Sequence, residues 1–304
     1  MERPRLSRFG LLLLVLVTLA WGFTWPINKQ TITEIPPLTF RAIALLAGSV
    51  GILTLARFAG QSLYIPPEHR RRVLALALTN MVGWNVLTIY AIPLLPSGRA
   101  ALIGYTMPLW STVLSVWLLG ERPTVRRVAS LVLGMSGVFV LLGADLSGMA
   151  GAVTGVVLML AAAVSWALGV VLLKRFALPI PTAALTGWMM LLAGVPIAAG
   201  AIALEHDRWH PVSTSAALGM VYSVVVALMF SSWAWNRVVL MVPVAVSSVS
   251  SLATPVVGVL SGMWLLDEPL TWRELAAGAF ILGAIGLALL PAAPRSAEAA
   301  LRRA

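Results

Sequence analysis

Aromatic and polar side chains that interrupt long apolar stretches are the residues of this sequence that could bind a small molecule. Trp21 and Trp25 lie four residues apart, as do Asn80 and Trp84, so each pair would share one face of a helix. A polar side chain within an apolar span has to face protein or water, and a deeply placed indole is not positioned as an interfacial anchor. The predicted substrate-binding residues are Trp21, Trp25, Asn80, Trp84, Tyr105, Trp166, Trp188, Tyr222 and Ser251.

Several of these residues also have a purely structural explanation. The amide of Asn80 could hydrogen-bond a neighbouring helix, and the hydroxyls around Ser251 could allow helices to approach closely. Trp21 and Trp166 could simply pack helices together. Indoles can also stack on the ring of a bound molecule while amides and hydroxyls orient its polar group, so both explanations stay open.

Acidic and histidine side chains fall in the predicted turns and tails rather than in the apolar stretches. Proton-coupled carriers usually hold a carboxylate or histidine at mid-membrane depth as a relay, so the sequence predicts no such relay. A hydrolase would need a nucleophile with its base, or a metal cluster, and no such grouping appears in these stretches. We therefore predict no catalytic residue, no metal site and no cofactor.

The composition requires lipid as the solvent. The chain has 304 residues, of which 60% are hydrophobic and 11% charged, whereas a soluble domain carries about 25% charged residues. The net charge of +10 is spread over short turns between apolar stretches, which is how membrane orientation is set. We therefore predict a lipid bilayer as the environment and no nucleic-acid partner.

Ten stretches are long and apolar enough to be membrane spans. Their approximate bounds are 10–30, 37–58, 72–92, 97–119, 125–143, 152–174, 181–203, 215–240, 244–266 and 273–291. The basic start followed by apolar residues resembles a signal peptide, but no A-x-A cleavage site follows, so we interpret it as the first retained helix. With the N-terminus inside, 16 Lys and Arg residues lie inside and 5 outside, which predicts that both termini are cytoplasmic.

One stretch occurs twice, at 96–124 and 243–271, with an offset of 147 residues. Pro108 then matches Pro255, and Glu121 matches Glu268. The first spans match with an offset of 145 residues, which pairs Trp21 with Trp166 and also pairs the two lysines of the chain. Tyr105 has no tyrosine partner in the repeat, which favours a functional role for it. A repeat of this kind predicts a duplicated fold, with halves at 1–147 and 148–304.

Five spans in each half is an odd number, so the second half would enter the membrane from the opposite side. Such inverted repeats are the construction of alternating-access transporters, with the substrate site near the midplane where the halves meet. Pro108 and Pro255 interrupt their helices and are predicted hinges, although each could equally form a static kink. The predicted fold is an all-α membrane protein of ten transmembrane helices, arranged as two inverted five-helix repeats around a central cavity.

The sequence resembles the EamA-like transporters of the bacterial drug/metabolite transporter superfamily over roughly residues 9–291. The motifs that carry the resemblance are AWG at 20–22, AALI at 100–103, LLGERPT at 118–124, SSL at 250–252 and LDEPLT at 266–271. Within that family the chain is most similar to aromatic amino acid exporters. The resemblance implies ten helices, a central cavity lined by spans 1, 3, 4, 6, 8 and 9, and export of metabolites.

Together these observations predict a secondary transporter in the bacterial inner membrane that exports aromatic or large apolar amino acids, by facilitated diffusion or exchange. An amino acid zwitterion carries no net charge, so it suits a cavity that contains no carboxylate side chain. A multidrug or nucleotide-precursor exporter of the same fold remains an alternative, as does a membrane scaffold or sensor without flux. A monomer is sufficient, because one chain supplies both halves.

Overall fold

The computed structural model describes residues 8–121, 124–142, 150–241 and 244–289, and all elements and contacts below refer to these residues. Every regular element in these ranges is helical. The first half contains α1 (Arg8–Thr31), α2 (Pro37–Phe58), α3 (Arg70–Leu76), α4 (Trp84–Ala91), α5 (Ser97–Gly104), α6 (Met107–Leu119) and α7 (Val125–Leu142). The second half contains α8 (Ala150–Phe176), α9 (Thr182–Glu205), α10 (Thr214–Val221), α11 (Ser231–Met241), α12 (Val244–Leu266) and α13 (Trp272–Leu289).

Two π-helical segments join shorter helices into longer runs. Ala77–Gly83 connects α3 to α4, and Tyr222–Phe230 connects α10 to α11. Short 3-10 turns lie at Pro67–His69, Ile92–Leu94 and His206–Arg208. The two π-helical segments begin 145 residues apart, so they occupy equivalent places in the two halves.

Seven helical runs in the described ranges are long and apolar enough to cross a membrane. They begin at Arg8, Pro37, Pro67, Ser97, Ala152, Thr182 and Thr214. Val128–Leu141 and Ala253–Leu266 are apolar helices of less than spanning length. Helical structure covers each of the ten stretches predicted as spans, to within a few residues at each end. The protein is therefore an all-α, multi-pass membrane protein.

Helices of the first half pack chiefly on helices of the second half. The longest pairings join α2 to α9, α7 to α13, α1 to α12, and α6 to α8. The run formed by α3, Ala77–Gly83 and α4 packs against α8, and its counterpart formed by α10, Tyr222–Phe230 and α11 packs against α1. Exchanging each element for its repeat partner leaves this set of pairings unchanged. The two halves are thus interleaved rather than separate bodies.

The run at 97–119 is broken at Tyr105–Thr106, between α5 and α6. Pro108 lies in the first turn of α6, where its missing N–H costs no hydrogen bond. Its repeat partner Pro255 is buried within the uninterrupted helix α12. The two predicted hinges therefore occupy different backbone settings.

Candidate functional site

Three indoles from three helices converge where the halves meet. Trp84 of α4 lies between Trp25 of α1 and Trp166 of α8, with ring centroids 6.5 and 5.2 Å away, respectively. Both contacts are edge-to-face, the geometry that aromatic quadrupoles favour. Trp25 is buried, while Trp84 and Trp166 are partly exposed. We call these three residues the indole cluster.

Small residues on α5 and α12 allow the indole cluster to pack directly against backbone. A Cβ on Gly104 would lie 3.0 Å from the ring of Trp25 and 3.4 Å from that of Trp84. A Cβ on Gly258 would lie 3.2 Å from the Trp25 ring. Tyr105, next to Gly104, packs against the same apolar core and hydrogen-bonds the side chain of Thr254. Five of the predicted spans therefore contribute to one aromatic site.

A partly buried ion pair ties α1 to the turn between α12 and α13. The ammonium of Lys29 lies 2.7 Å from Glu268 Oε1 and donates to the Leu95 carbonyl at 2.8 Å. Glu268 also accepts the Ser97 backbone N–H at 2.7 Å and the Ser97 hydroxyl at 3.2 Å. We call Lys29–Glu268 the buried pair, because its side chains are less exposed than those of its counterpart in the repeat.

The repeat partners of these two residues form a second pair. Lys174 Nζ lies 2.7 Å from Glu121 Oε1, and the lysine side chain is 67% exposed. We call Lys174–Glu121 the exposed pair. Each lysine thus reaches the glutamate of the other half, so the two pairs cross between the halves in a reciprocal way.

Both glutamates follow a helix that ends on a left-handed residue. Gly120 has φ +68° and Asp267 has φ +51°, and these residues are 147 positions apart. The N–H of Glu121 returns to the Ser115 carbonyl at 3.3 Å, and that of Glu268 returns to the Gly262 carbonyl at 3.4 Å. Left-handed residues commonly end helices in this way, and here they direct both carboxylates towards a lysine of the other half.

Each π-helical segment also accepts a side-chain hydrogen bond from a helix of the other half. In the first, the Thr79 carbonyl accepts the Ser165 hydroxyl of α8 at 2.7 Å. In the second, the Ala227 carbonyl accepts the indole N–H of Trp21 of α1 at 3.2 Å. Wide turns leave carbonyls available for such side chains, and both are used to join the halves.

Comparison with known proteins identifies the family. The profile of the EamA-like transporter family matches residues 8–143 and, a second time, residues 153–290. The chain belongs to the EamA-like transporter family. The resemblance predicted from the sequence motifs is confirmed, and the double match agrees with the duplicated arrangement of contacts.

EamA-like relatives include proteins named for amino-acid export. The chain is 27% identical over 290 residues to the "Probable amino-acid metabolite efflux pump" of Salmonella typhimurium, covering 92% of this chain and 94% of that protein. It is 30% identical over 198 residues to the "Aromatic amino acid exporter YddG" of Ancylobacter novellus, covering 64% and 65% of the two chains. A solved crystal structure with 26% identity matches with a TM-score of 0.66, covering 92% of this chain and 96% of that one.

Trp21, Tyr222 and Trp188 lie apart from the indole cluster. Trp21 packs at a tilt against Trp235, with ring centroids 5.5 Å apart, and its indole N–H donates to the Ala227 carbonyl. The hydroxyl of Tyr222 donates to the Ala20 carbonyl at 2.6 Å. Trp188 donates to the Leu63 carbonyl at 2.8 Å, in the loop that follows α2. Each of these side chains joins elements together in this structure, and its role in substrate binding stays a prediction.

Asn80 is buried and packs against α8, where a Cβ on Gly169 would lie 2.6 Å from the Asn80 Cβ. Trp84 meets Trp166 on the same helix. Ser251 belongs to α12, but its side chain lies outside the described residues.

Two crevices of the described surface run along α7 and between α12 and α13, and none of the three indoles lines either of them. The central cavity stays a prediction, because the indoles pack tightly in this conformation.

Buried charges at helix ends are what the sequence interpretation missed. Glu205 is the last residue of α9 and accepts the N–H groups of Leu38 and Thr39 at 3.0 and 2.8 Å. Glu274, in the first turn of α13, accepts the Arg99 side chain at 2.6 Å. Arg41 lies within α2, inside the span predicted at 37–58, and is only 8% exposed. In the described ranges no group of three or more His, Cys, Asp and Glu side chains could hold a metal ion.

Proposed function

We propose that this protein is a secondary transporter that exports aromatic or large apolar amino acids across the bacterial inner membrane. The observation that carries the proposal is the indole cluster, in which Trp25, Trp84 and Trp166 converge from α1, α4 and α8. Indole edges and faces suit an aromatic or large apolar side chain. The printed names of two relatives, an amino-acid efflux pump and an aromatic amino acid exporter, support the same class of substrate.

Transport in this proposal proceeds by alternating access between two inverted five-helix halves. Support comes from the double family match, the reciprocal helix pairings and the two crossed ion pairs. With the orientation set by the basic residues, both termini are cytoplasmic and the buried pair closes the outer face. The exposed pair lies at the inner face. One chain contains both halves, so a monomer is sufficient.

Movement at the indole cluster would accompany each transport cycle. The rings fill the space beside Gly104 in this conformation, so a substrate has to separate them. The break at Tyr105–Thr106, just before Pro108, is a place where α6 can move relative to α5. The proposed hinge at Pro255 would have to bend a continuous helix instead.

Coupling to protons is not part of the proposal. The described glutamates that could act as relays, Glu121, Glu205, Glu268 and Glu274, lie at helix ends or in the turns that follow them, rather than at mid-membrane depth. Facilitated diffusion or exchange therefore suits the chain. Uphill accumulation of substrate driven by an imposed pH gradient in proteoliposomes would contradict this.

The test of the proposed function is counterflow in proteoliposomes with labelled phenylalanine, labelled threonine and a cationic dye. We expect exchange of phenylalanine in preference to the other two. Trp84→Ala should lower phenylalanine exchange about tenfold, because it removes a central ring contact, and Trp84→Phe should restore part of it. Trp117→Ala is the matched control, since Trp117 is 82% exposed.

Each other outcome of that panel rejects the proposed substrate. Exchange of the dye in preference to phenylalanine would indicate a multidrug exporter, which the same fold allows. Absence of exchange for every compound, in protein shown to be folded, would indicate a scaffold or sensor.

A further inference from the structure

Arg41 is a buried cation without an anion. It lies one turn into α2, is 8% exposed, and its Nε atom is buried without a hydrogen-bond partner. Among the described residues it forms no ion pair, and its Cζ lies 5.3 Å from the ring centroid of the adjacent Phe40. A guanidinium stays protonated at any physiological pH, and burying an unpaired charge is costly.

Two other partly buried basic residues of this protein each have a carboxylate partner. Lys29 has Glu268 at 2.7 Å, and Arg99 has Glu274 at 2.6 Å. Even the exposed Lys174 has Glu121 at 2.7 Å. Compared with these described pairs, Arg41 lacks the expected carboxylate.

Glu205 is the acid that reaches this end of α2, and it is already engaged. Its oxygens accept the Leu38 N–H at 3.0 Å, the Thr39 N–H at 2.8 Å and the Thr39 hydroxyl at 2.8 Å. It therefore caps the helix rather than pairing with Arg41. Among the described residues, therefore, no carboxylate pairs with Arg41.

The position of Arg41 fits an anion that belongs to a substrate. Arg41 is seven residues before Gly48, on the same side of α2, and a Cβ on Gly48 would lie 3.3 Å from Leu228 in the second π-helical segment. That side of α2 faces the protein interior. The neighbouring face of α2 contacts α9, since the Ser49 hydroxyl donates to the Gly187 carbonyl at 2.8 Å.

Helix α4, which also packs against α2, carries a second unpaired polar group. Thr88 is 2% exposed, and its hydroxyl is buried without a partner. It lies four residues after Trp84, so a hydrogen-bond donor and an indole share one face of α4. A molecule with a carboxylate near Arg41 and Thr88 could place its ring against the indole cluster.

We propose that Arg41 recognises the carboxylate of the substrate, with Thr88 as a second donor, and this rests on the transport function proposed above. The substrate class is then defined by a carboxylate next to an aromatic or apolar group. Amines that lack the carboxylate are excluded. A guanidinium can donate two parallel hydrogen bonds to one carboxylate. In the protein without substrate, the charge of Arg41 stays buried and unpaired, which is unfavourable, and substrate binding would neutralise it.

The test compares phenylalanine, 3-phenylpropanoate and phenethylamine, which share a ring and differ in their charged groups. Binding to the purified full chain is measured by thermal shift, and exchange is measured by counterflow. We expect the two carboxylates, and not phenethylamine, to bind wild-type protein. Arg41→Gln should weaken both carboxylates at least ~30-fold, and Thr88→Val should weaken them less. Arg57→Gln is the matched control, because Arg57 lies at the exposed end of the same helix.

Thermal stability without substrate distinguishes recognition from a structural role. Because Arg41 is unpaired, Arg41→Gln should unfold at the same temperature as wild type or a higher one. A lower unfolding temperature together with unchanged carboxylate binding would overturn the proposal, as would binding of phenethylamine equal to that of phenylalanine. If no aromatic compound is exchanged, the transport function fails, and thermal shift with benzoate still decides the role of Arg41. Stabilisation of wild type but not of Arg41→Gln supports it, and equal stabilisation refutes it.

Discussion

The buried pair and the exposed pair use equivalent residues but sit in different surroundings. The side chains of Lys29 and Glu268 are 26% and 12% exposed, whereas those of Lys174 and Glu121 are 67% and 26% exposed. Glu268 also accepts two hydrogen bonds from Ser97. An exposed pair contributes about 0–1 kcal/mol, while removing one partner of a buried pair costs about 3–5 kcal/mol. In a nearly symmetric chain, removing one partner of the buried pair should therefore cost more than removing one partner of the exposed pair.

The largest expected effect comes from breaking the buried pair. Lys29→Met leaves Glu268 charged and largely buried, so we expect a loss of about 2–4 kcal/mol in the free energy of unfolding. Denaturant unfolding in detergent, followed by circular dichroism, measures it. The double variant Lys29→Met with Glu268→Gln should recover part of the loss, because no unpaired charge remains. A loss below 1 kcal/mol in the single variant would remove the distinction between the two pairs.

An intermediate effect is expected where α8 supports the first π-helical segment. Ser165→Ala removes the hydroxyl that bonds the Thr79 carbonyl at 2.7 Å, which should cost about 1–2 kcal/mol by leaving that carbonyl without its side-chain partner. The same unfolding assay checks it. Ser136→Ala is the control, since that exposed hydroxyl only returns to the carbonyl of its own helix at 2.9 Å. Equal losses in both variants would show that the contact between helices contributes nothing.

The smallest effect belongs to the exposed pair. Lys174→Met should change the free energy of unfolding by less than about 1 kcal/mol. Counterflow of phenylalanine is measured for this variant and for Lys29→Met. The comparison shows whether loss of the exposed pair also changes the transport rate. A destabilisation as large as that of Lys29→Met would mean that the two ends are equally secured.

The sequence predicted the helices well because apolar stretches of spanning length have few alternatives. It also predicted that Trp25 and Trp84 would belong to a binding site inside the protein, since an indole deep in a span is not positioned as an interfacial anchor. It treated the lysines and acidic turns as markers of opposite membrane faces and missed that Lys29 meets Glu268, because helical periodicity does not identify the neighbouring helix. Matching positions of the chain's two lysines in the repeat were the available signal.

The burial of Arg41 and the neighbours of Trp21 were both beyond what the sequence could predict. The predicted span at 37–58 contains Arg41 and agrees with α2, but the position of a residue in a span does not show which neighbouring helix covers it. Trp21 and Trp25 lie on nearly the same face of α1, yet the former meets Ala227 and the latter meets Trp84. Helix α1 lies between two neighbours, so a difference of about 40° around its axis decides which one a side chain contacts.

The two π-helical segments constrain the length of the chain as well as its composition. Their hydrogen bonds run from i to i+5, so each wide turn holds one residue more than an α-helical turn. Deleting Val82 would rotate the rest of the run by about 100° per residue and carry Trp84 away from Trp166. Single-residue insertions and deletions between residues 77 and 83, or between 222 and 230, should therefore be far less tolerated than substitutions at the same places. In this protein, the number of residues in these segments therefore helps to determine where the indole cluster lies.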